Sequence, residues 1–210
     1  MEREHKKPVF LFASDSFKGS LSSQETAGLL KKAAEQVFPG CQTIGVPVAD
    51  GGEGTLEAVM EAVGGTFCRK MVCGPLGEPV EAVYGSLPGN RALIEMAAAS
   101  GLPLVPPAQR NPLNTTTRGT GELILDALEK GYRDITVAIG GSATNDGGMG
   151  ALAALGVRFS DKNGRELDGY GRDLEQVESM DLSGLSEAVR ETRFTVMCDV
   201  TNPLLGPDGA

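Results

Sequence analysis

The chain has 210 residues, of which 40% are hydrophobic and 22% charged, and its formal net charge is −9. That length suits one large domain or two small ones, and the acidic balance argues against nucleic acid or an anionic membrane surface as the main partner, since both need a basic face. The absence of Trp, an aromatic share of 5% and 29 glycines point to an Ala/Val/Gly-rich α/β protein whose loops carry much of the work.

Residues 1–7 are polar and contain the chain's single histidine, His5. The apolar run after them, residues 8–13, is too short for a signal segment with a cleavage site or for a membrane span, so a cytoplasmic protein is expected. Residues 9–13 read as a strand buried on both faces. A polar loop over 14–20 leads to a helix starting near Ser22, where Ser22-x-x-Glu25 matches a capping box. Ala27, Leu30, Ala34 and Val37 fall on one face of that helix, and Pro39-Gly40 ends it. With a second strand at 43–48 this makes a β-α-β unit with a parallel pair. A glycine loop, Ala49-Asp50-Gly51-Gly52-Glu53-Gly54-Thr55, then feeds a helix carrying Leu56, Val59, Met60 and Val63.

From residue 66 to 95, short apolar runs punctuated by Pro and Gly read as antiparallel hairpins at the start of a second lobe. Residues 97–100 are small and helical, 103–113 form a Pro-rich connection, and 120–130 form a helix with Leu123, Ile124, Ala127 and Leu128 as its apolar stripe, ended by Gly131. A strand over 134–139 alternates Ile135, Val137 and Ile139 and runs into a second glycine loop, Gly140-Gly141-Ser142-Ala143-Thr144-Asn145-Asp146-Gly147-Gly148, with a helix beginning near Gly148. Residues 157–174 are polar and turn-rich, and 193–200 form one more strand. The final residues read as a loop leaving that strand with nothing after it to cover the sheet. Because a parallel sheet needs helices on both faces, the sequence is expected to be the front part of something longer.

Strand, glycine loop and helix in that order suit a small anion: glycines let the backbone approach it, and N–H groups at a helix start carry partial positive charge. Neither loop has Walker A or dinucleotide spacing, so a nicotinamide-binding dehydrogenase is disfavoured. Cys41, Cys68, Cys73 and Cys198 form no C-x-x-C pair, which leaves zinc and a Cys–His nucleophile without support.

Five stretches resemble the type 1 glycerate kinase family, bacterial enzymes that phosphorylate D-glycerate with ATP. They are residues 15–20 (DSFKGS), 49–55 (ADGGEGT), 114–124 (NTTTRGTGELI), the 140–148 loop, and 198–204 (CDVTNPL). The resemblance implies an α/β fold of two lobes with a cleft between them: a flavodoxin-like or Rossmann-like parallel-sheet lobe, begun by residues 1–65, and a second lobe inserted into it, residues 66–210, incomplete at its C-terminal end. It implies Mg-ATP as phosphoryl donor, D-glycerate as acceptor and 2-phosphoglycerate as product. It leaves open whether copies of the chain associate as a homo-oligomer. The alternative is a catalytically inactive fragment that at most binds nucleotide or substrate.

Phosphoryl transfer is mostly positioning and charge neutralisation, and the five stretches hold the residue types it needs. Lys18 and Asp199 are the catalytic candidates: Lys18 as a point charge for a phosphate or carboxylate, against a solvated surface lysine; Asp199 as general base or metal ligand, against a turn initiator. For binding, the candidates are Asp15, Asp50, Gly51, Gly52, Glu53, Arg118, Gly140, Gly141, Ser142, Thr144 and Asn145. Asp50 reads equally as a Mg²⁺ ligand or as an Asx turn beside glycine. Glu53 is either a ligand or a first-turn charge on its helix, and Arg118 is either a planar clamp for an anion or a surface charge. Asp146 is a second metal candidate, since a carboxylate beside phosphate repels it unless a metal intervenes.

Overall fold

The computed structural model describes residues 7–17, 20–52, 54–198 and 200–207. It is a mixed α/β structure. Strand β1 (Val9–Phe12) pairs in parallel with β2 (Gln42–Gly45), Phe12 opposite Gly45, and α1 (Ser23–Val37) connects them. The capping box forms as its spacing predicts: the Ser22 hydroxyl accepts from the Glu25 N–H at 3.1 Å, and the Glu25 carboxylate accepts from the Ser22 N–H at 2.8 Å. β2 stops two residues before Pro47, which has no N–H for a ladder.

Two expectations fail in this part. β1 is not buried on both faces, because Val9 and Leu11 are 59% and 62% exposed. The expected apolar stripe of α1 buries Ala27 but leaves Leu30 and Val37 exposed. The cause is the same for both. A two-stranded sheet offers α1 only a narrow face to pack on, and none of the described residues covers the opposite face, where Val9, Leu11 and Ile44 stand.

The larger sheet holds the main core. Its strands β3 (Thr66–Cys73), β4 (Pro79–Leu87), β5 (Arg91–Glu95), β6 (Asp134–Ala138) and β9 (Arg193–Met197) lie in the order β3-β4-β5-β6-β9. The first three are antiparallel hairpins, as the punctuation predicted, and β5, β6 and β9 are parallel. Register places Glu95 opposite Ala138 and Ala138 opposite Met197, so three strands end side by side at one edge. Short strands β7 (Arg158–Ser160) and β8 (Ser179–Asp181) form a separate antiparallel pair.

Helix α2 (Thr55–Val63) follows the first glycine loop and sets Leu56 and Met60 on Leu93 of the large sheet, so the two parts of the chain meet across it. Helices α3 (Ala97–Ser100), α4 (Arg118–Glu129), α5 (Met149–Ala154) and α6 (Glu187–Arg190) follow, and α4 packs on the other face of the sheet, over Ala92, Ile94, Ile135 and Val137. All four stripe residues of α4 are buried. That helix begins two residues earlier than its apolar pattern suggests, and in its first turn Gly119 and Gly121 lie where its backbone presses on Cys73 and Ala151 and a side chain would collide.

A buried polar cluster fastens α4 to the sheet. The Asp126 carboxylate accepts from the hydroxyl of fully buried Tyr84 at 2.7 Å, from Lys130 Nζ at 2.6 Å and from Lys70 Nζ at 3.1 Å. Burial alone pushes the Asp126 carboxyl up, but the hydrogen bonds from Lys130, Tyr84 and Lys70 together hold it below the usual range. A depressed folded pKa gives stability that is present above the unfolded value, near pH 4, and lost as pH falls through the folded one. The expected result is a denaturation midpoint that declines on acidification below about pH 4. Asp126→Asn, less stable at neutral pH, should show a shallower decline in the same titration.

Candidate active site

The two glycine loops touch. The Gly140 N–H donates to the Gly51 carbonyl at 2.9 Å, and the Gly52 and Gly140 backbones lie too close for a side chain between them. Met197, at the end of β9, approaches both: its carbonyl accepts from the Ile139 N–H at 3.3 Å and stands 3.2 Å from where a Gly51 Cβ would be. The carboxyl ends of β5, β6 and β9 and the loop after β2 therefore share one edge, the place where open α/β sheets bind ligands.

A cavity of about 480 Å³ opens beside the first loop. Ser16, Ser20 and Ser22 give it hydroxyls, Gly54, Glu57 and Glu61 come from the cap and the length of α2, and among its described lining residues the large sheet contributes Glu95 alone. Glu95 was not singled out from the sequence. Its signal was an acid closing an otherwise apolar strand, Ala92-Leu93-Ile94-Glu95.

Lys18, Glu53 and Asp199 lie outside the described residues. Asp15 is exposed, with one oxygen accepting from the Ser16 N–H at 2.7 Å. Asp50 is exposed too and makes the Asx turn, its Oδ1 accepting from the Gly52 N–H at 3.0 Å. Gly51 is buried and Gly52 half-buried; the Thr55 hydroxyl accepts from Gly51 N–H at 3.1 Å and donates to the Gly52 carbonyl at 2.8 Å, fixing the turn into α2. In the second loop, Ser142 accepts from the Thr144 N–H at 3.0 Å and shares a hydrogen bond with the Thr144 hydroxyl at 2.9 Å, while Gly141 and Asn145 stand exposed.

Arg118 is drawn elsewhere. Its guanidinium pairs with Glu122 at 3.6 Å and influences the Cys73 thiol, which burial and Glu122 push up and Arg118 pulls back. Its guanidinium acts on Cys73, the last residue of β3, while its backbone lies against Gly150 just after the second glycine loop.

Asp146 has a different task from the metal ligand expected of it. It is 1% exposed. Its Oδ2 accepts from the Thr117 N–H at 2.7 Å, the Thr117 hydroxyl at 2.8 Å and the Gly150 N–H at 3.2 Å, and its Oδ1 accepts from the Gly148 N–H at 3.0 Å. Four donors converge on one carboxylate, three of them on Oδ2. The anion held at the start of α5 is thus the protein's own, joining that helix to the start of α4. Among the described residues no three His, Cys, Asp or Glu side chains gather as a metal site. Mg²⁺ commonly takes only one or two carboxylates beside substrate phosphates, a mode that exposed Asp50 fits and Asp146 does not. No helix among the described residues is long and apolar enough to cross a membrane.

The sequence model of the glycerate kinase family matches residues 10–210. The chain is 52% identical over 201 residues to the glycerate kinase of Bacillus subtilis (strain 168) and, over the same length, 52% identical to the glycerate 2-kinase of Escherichia coli (strain K12), in each case covering 95% of this chain and 53% of the relative. A crystal structure assigned to glycerate kinase 2 of Salmonella typhimurium LT2 superposes with a TM-score of 0.79 at 48% identity, over 98% of this chain and 55% of that one. The chain therefore spans about half the length of the curated relatives it matches. It belongs to the glycerate kinase family.

Proposed function

We propose that this chain carries the ligand-facing loops of an ATP-dependent glycerate kinase, which transfers the terminal phosphoryl group of ATP to a hydroxyl of D-glycerate and gives 2-phosphoglycerate. The observation that carries the reading is the contact between the two glycine loops, Gly140 N–H to Gly51 carbonyl at 2.9 Å, which sets both at one sheet edge, the first of them beside the hydroxyl-lined cavity. The family of the chain supplies the reaction.

Each group has a task that follows from charge. Glu57, Glu61 and Glu95 line the cavity, so an anionic acid or phosphate entering it needs a cation. Lys18 is the protein's candidate, with sequence neighbours Phe17 and Ser20 in the cavity wall. Asp50 would hold Mg²⁺, whose chemistry is to neutralise phosphate oxygens. Asp15, Gly51, Gly52 and Glu53 are assigned to the acceptor; Gly141, Ser142, Thr144 and Asn145 offer amides or hydroxyls to phosphate, and Gly140, whose N–H goes to Gly51, lets the backbone come close. Asp199 takes the proton of the attacking hydroxyl. Arg118, held by Glu122, has no part in this assignment.

A coupled ADP-release assay with D-glycerate and Mg-ATP tests the reading, with phosphorus NMR of the product to separate 2- from 3-phosphoglycerate. Turnover is expected, and Lys18→Ala or Asp199→Ala should lower it by at least about 10²-fold. Nucleotide binding without turnover would reduce the chain to the binding fragment. Full turnover in both variants would remove Lys18 and Asp199 from the chemistry.

A further inference from the structure

We infer that Glu95 is a positioning residue: a carboxylate from the large sheet that caps the helix of the first glycine loop and so fixes that loop against the second. The inference rests on the functional reading above and adds to it a residue and a coupling between the loops.

Helix α2 starts at Gly54, a left-handed residue whose missing side chain cannot cap it, and no side-chain cap bond forms there. The donor of its second residue is met from another part of the chain. Glu95 Oε1 accepts from the Leu56 N–H at 2.6 Å, across 39 residues of sequence, and Glu95 is 8% exposed. A negative charge at a helix start also opposes the positive end of the helix dipole, and a charge-assisted bond of this length is among the stronger ones.

Position turns this cap into a coupling. Glu95 pairs with Ala138, two residues before Gly140, so it is fixed at the root of the second glycine loop. The first loop is thereby tied to that strand end on both sides of its turn: by Gly140 N–H to the Gly51 carbonyl before it, and by Glu95 to Leu56 N–H after it. Asp146 does locally for α5 what Glu95 does at long range for α2. Gln at position 95 keeps an acceptor of the same reach. Ala has none, and Asp keeps the charge but withdraws it by one methylene.

The test compares Glu95→Ala, Glu95→Asp and Glu95→Gln by amide hydrogen exchange and by calorimetric titration with Mg-ATP. In Glu95→Ala and Glu95→Asp, exchange at residues 55–58 should accelerate by at least about tenfold while α4 stays protected, and in Glu95→Gln it should stay within about threefold of the parent chain. Mg-ATP affinity should follow the same order, weakened at least about fivefold in Ala and Asp and restored in Gln. Should the Ala variant fail to fold, the Asp and Gln pair carries the comparison. Unchanged exchange in Glu95→Asp would overturn the inference. So would equal weakening of Mg-ATP binding in Gln and Asp, since that assigns Glu95 to direct ligand contact. If the parent chain binds no Mg-ATP, the kinase reading fails, and exchange alone decides the tie.

Discussion

Asp146→Ala should cost on the order of 3–5 kcal/mol of folding stability, read as a lowered denaturant midpoint with an unchanged slope. The carboxylate is completely enclosed and serves two helix starts at once. Three donors reach Oδ2, two of them from Thr117 at the head of α4, and Gly148 reaches Oδ1 at the head of α5. Removing it orphans three backbone N–H groups in a space water does not reach, and each buried unmet donor costs about 1–3 kcal/mol. Asp146→Asn separates charge from shape. With its carbonyl in the place of Oδ2 it retains three bonds and sets its NH₂ against only the Gly148 N–H, so its loss should be roughly half that of Ala. If Ala and Asn proved equally mild, the four-donor tie would contribute little.

That residue also marks where reading the sequence stops short. Glycine, hydroxyl and carboxylate residues between a strand and a helix marked a loop of close backbone approach, which requires residues without side chains, and Gly140 against Gly52 is such an approach. Whether a carboxylate in that loop faces outward or inward is decided by Thr117, some 29 residues away in sequence, which no local pattern encodes. Asp50 makes the short-range contact, an Asx turn through Oδ1, because its partner Gly52 is two residues distant, and it stays exposed. Glu95 escaped notice for the converse reason, since its partner lies in another element.

The fold followed the same division between local and distant causes. The capping box of α1, the stripe of α4 and the hairpins β3 to β5 are set by neighbouring residues and formed as read. The burial of β1 depends on what covers its second face, and an apolar run reports a demand for cover rather than its supply. Val9, Leu11 and Ile44 thus remain exposed although their pattern is that of an interior strand.

Gly140→Ala should strike function harder than stability. A Cβ at this position would stand 2.5 Å from Gly52 Cα, 2.8 Å from Gly52 N and 3.0 Å from the Gly51 carbonyl, and all three are backbone atoms that cannot turn aside. The first loop must retreat, which breaks the Gly140 to Gly51 bond and moves Asp50 and Gly52 with it. Overpacking of this kind costs about 1–3 kcal/mol, and a displacement of about 1 Å at a positioned site costs on the order of 10²-fold in rate. The expected outcome is a modestly lowered denaturant midpoint with Mg-ATP affinity or turnover reduced far more than the stability loss alone accounts for. Gly28→Ala is the control of opposite sign. It lies inside α1 with nothing within 4 Å of the added methyl, so helix propensity should raise stability by about 0.5–1 kcal/mol and leave ligand binding unchanged. A Gly140→Ala chain that bound Mg-ATP as the parent does would show that the two loops need not touch for the site to work.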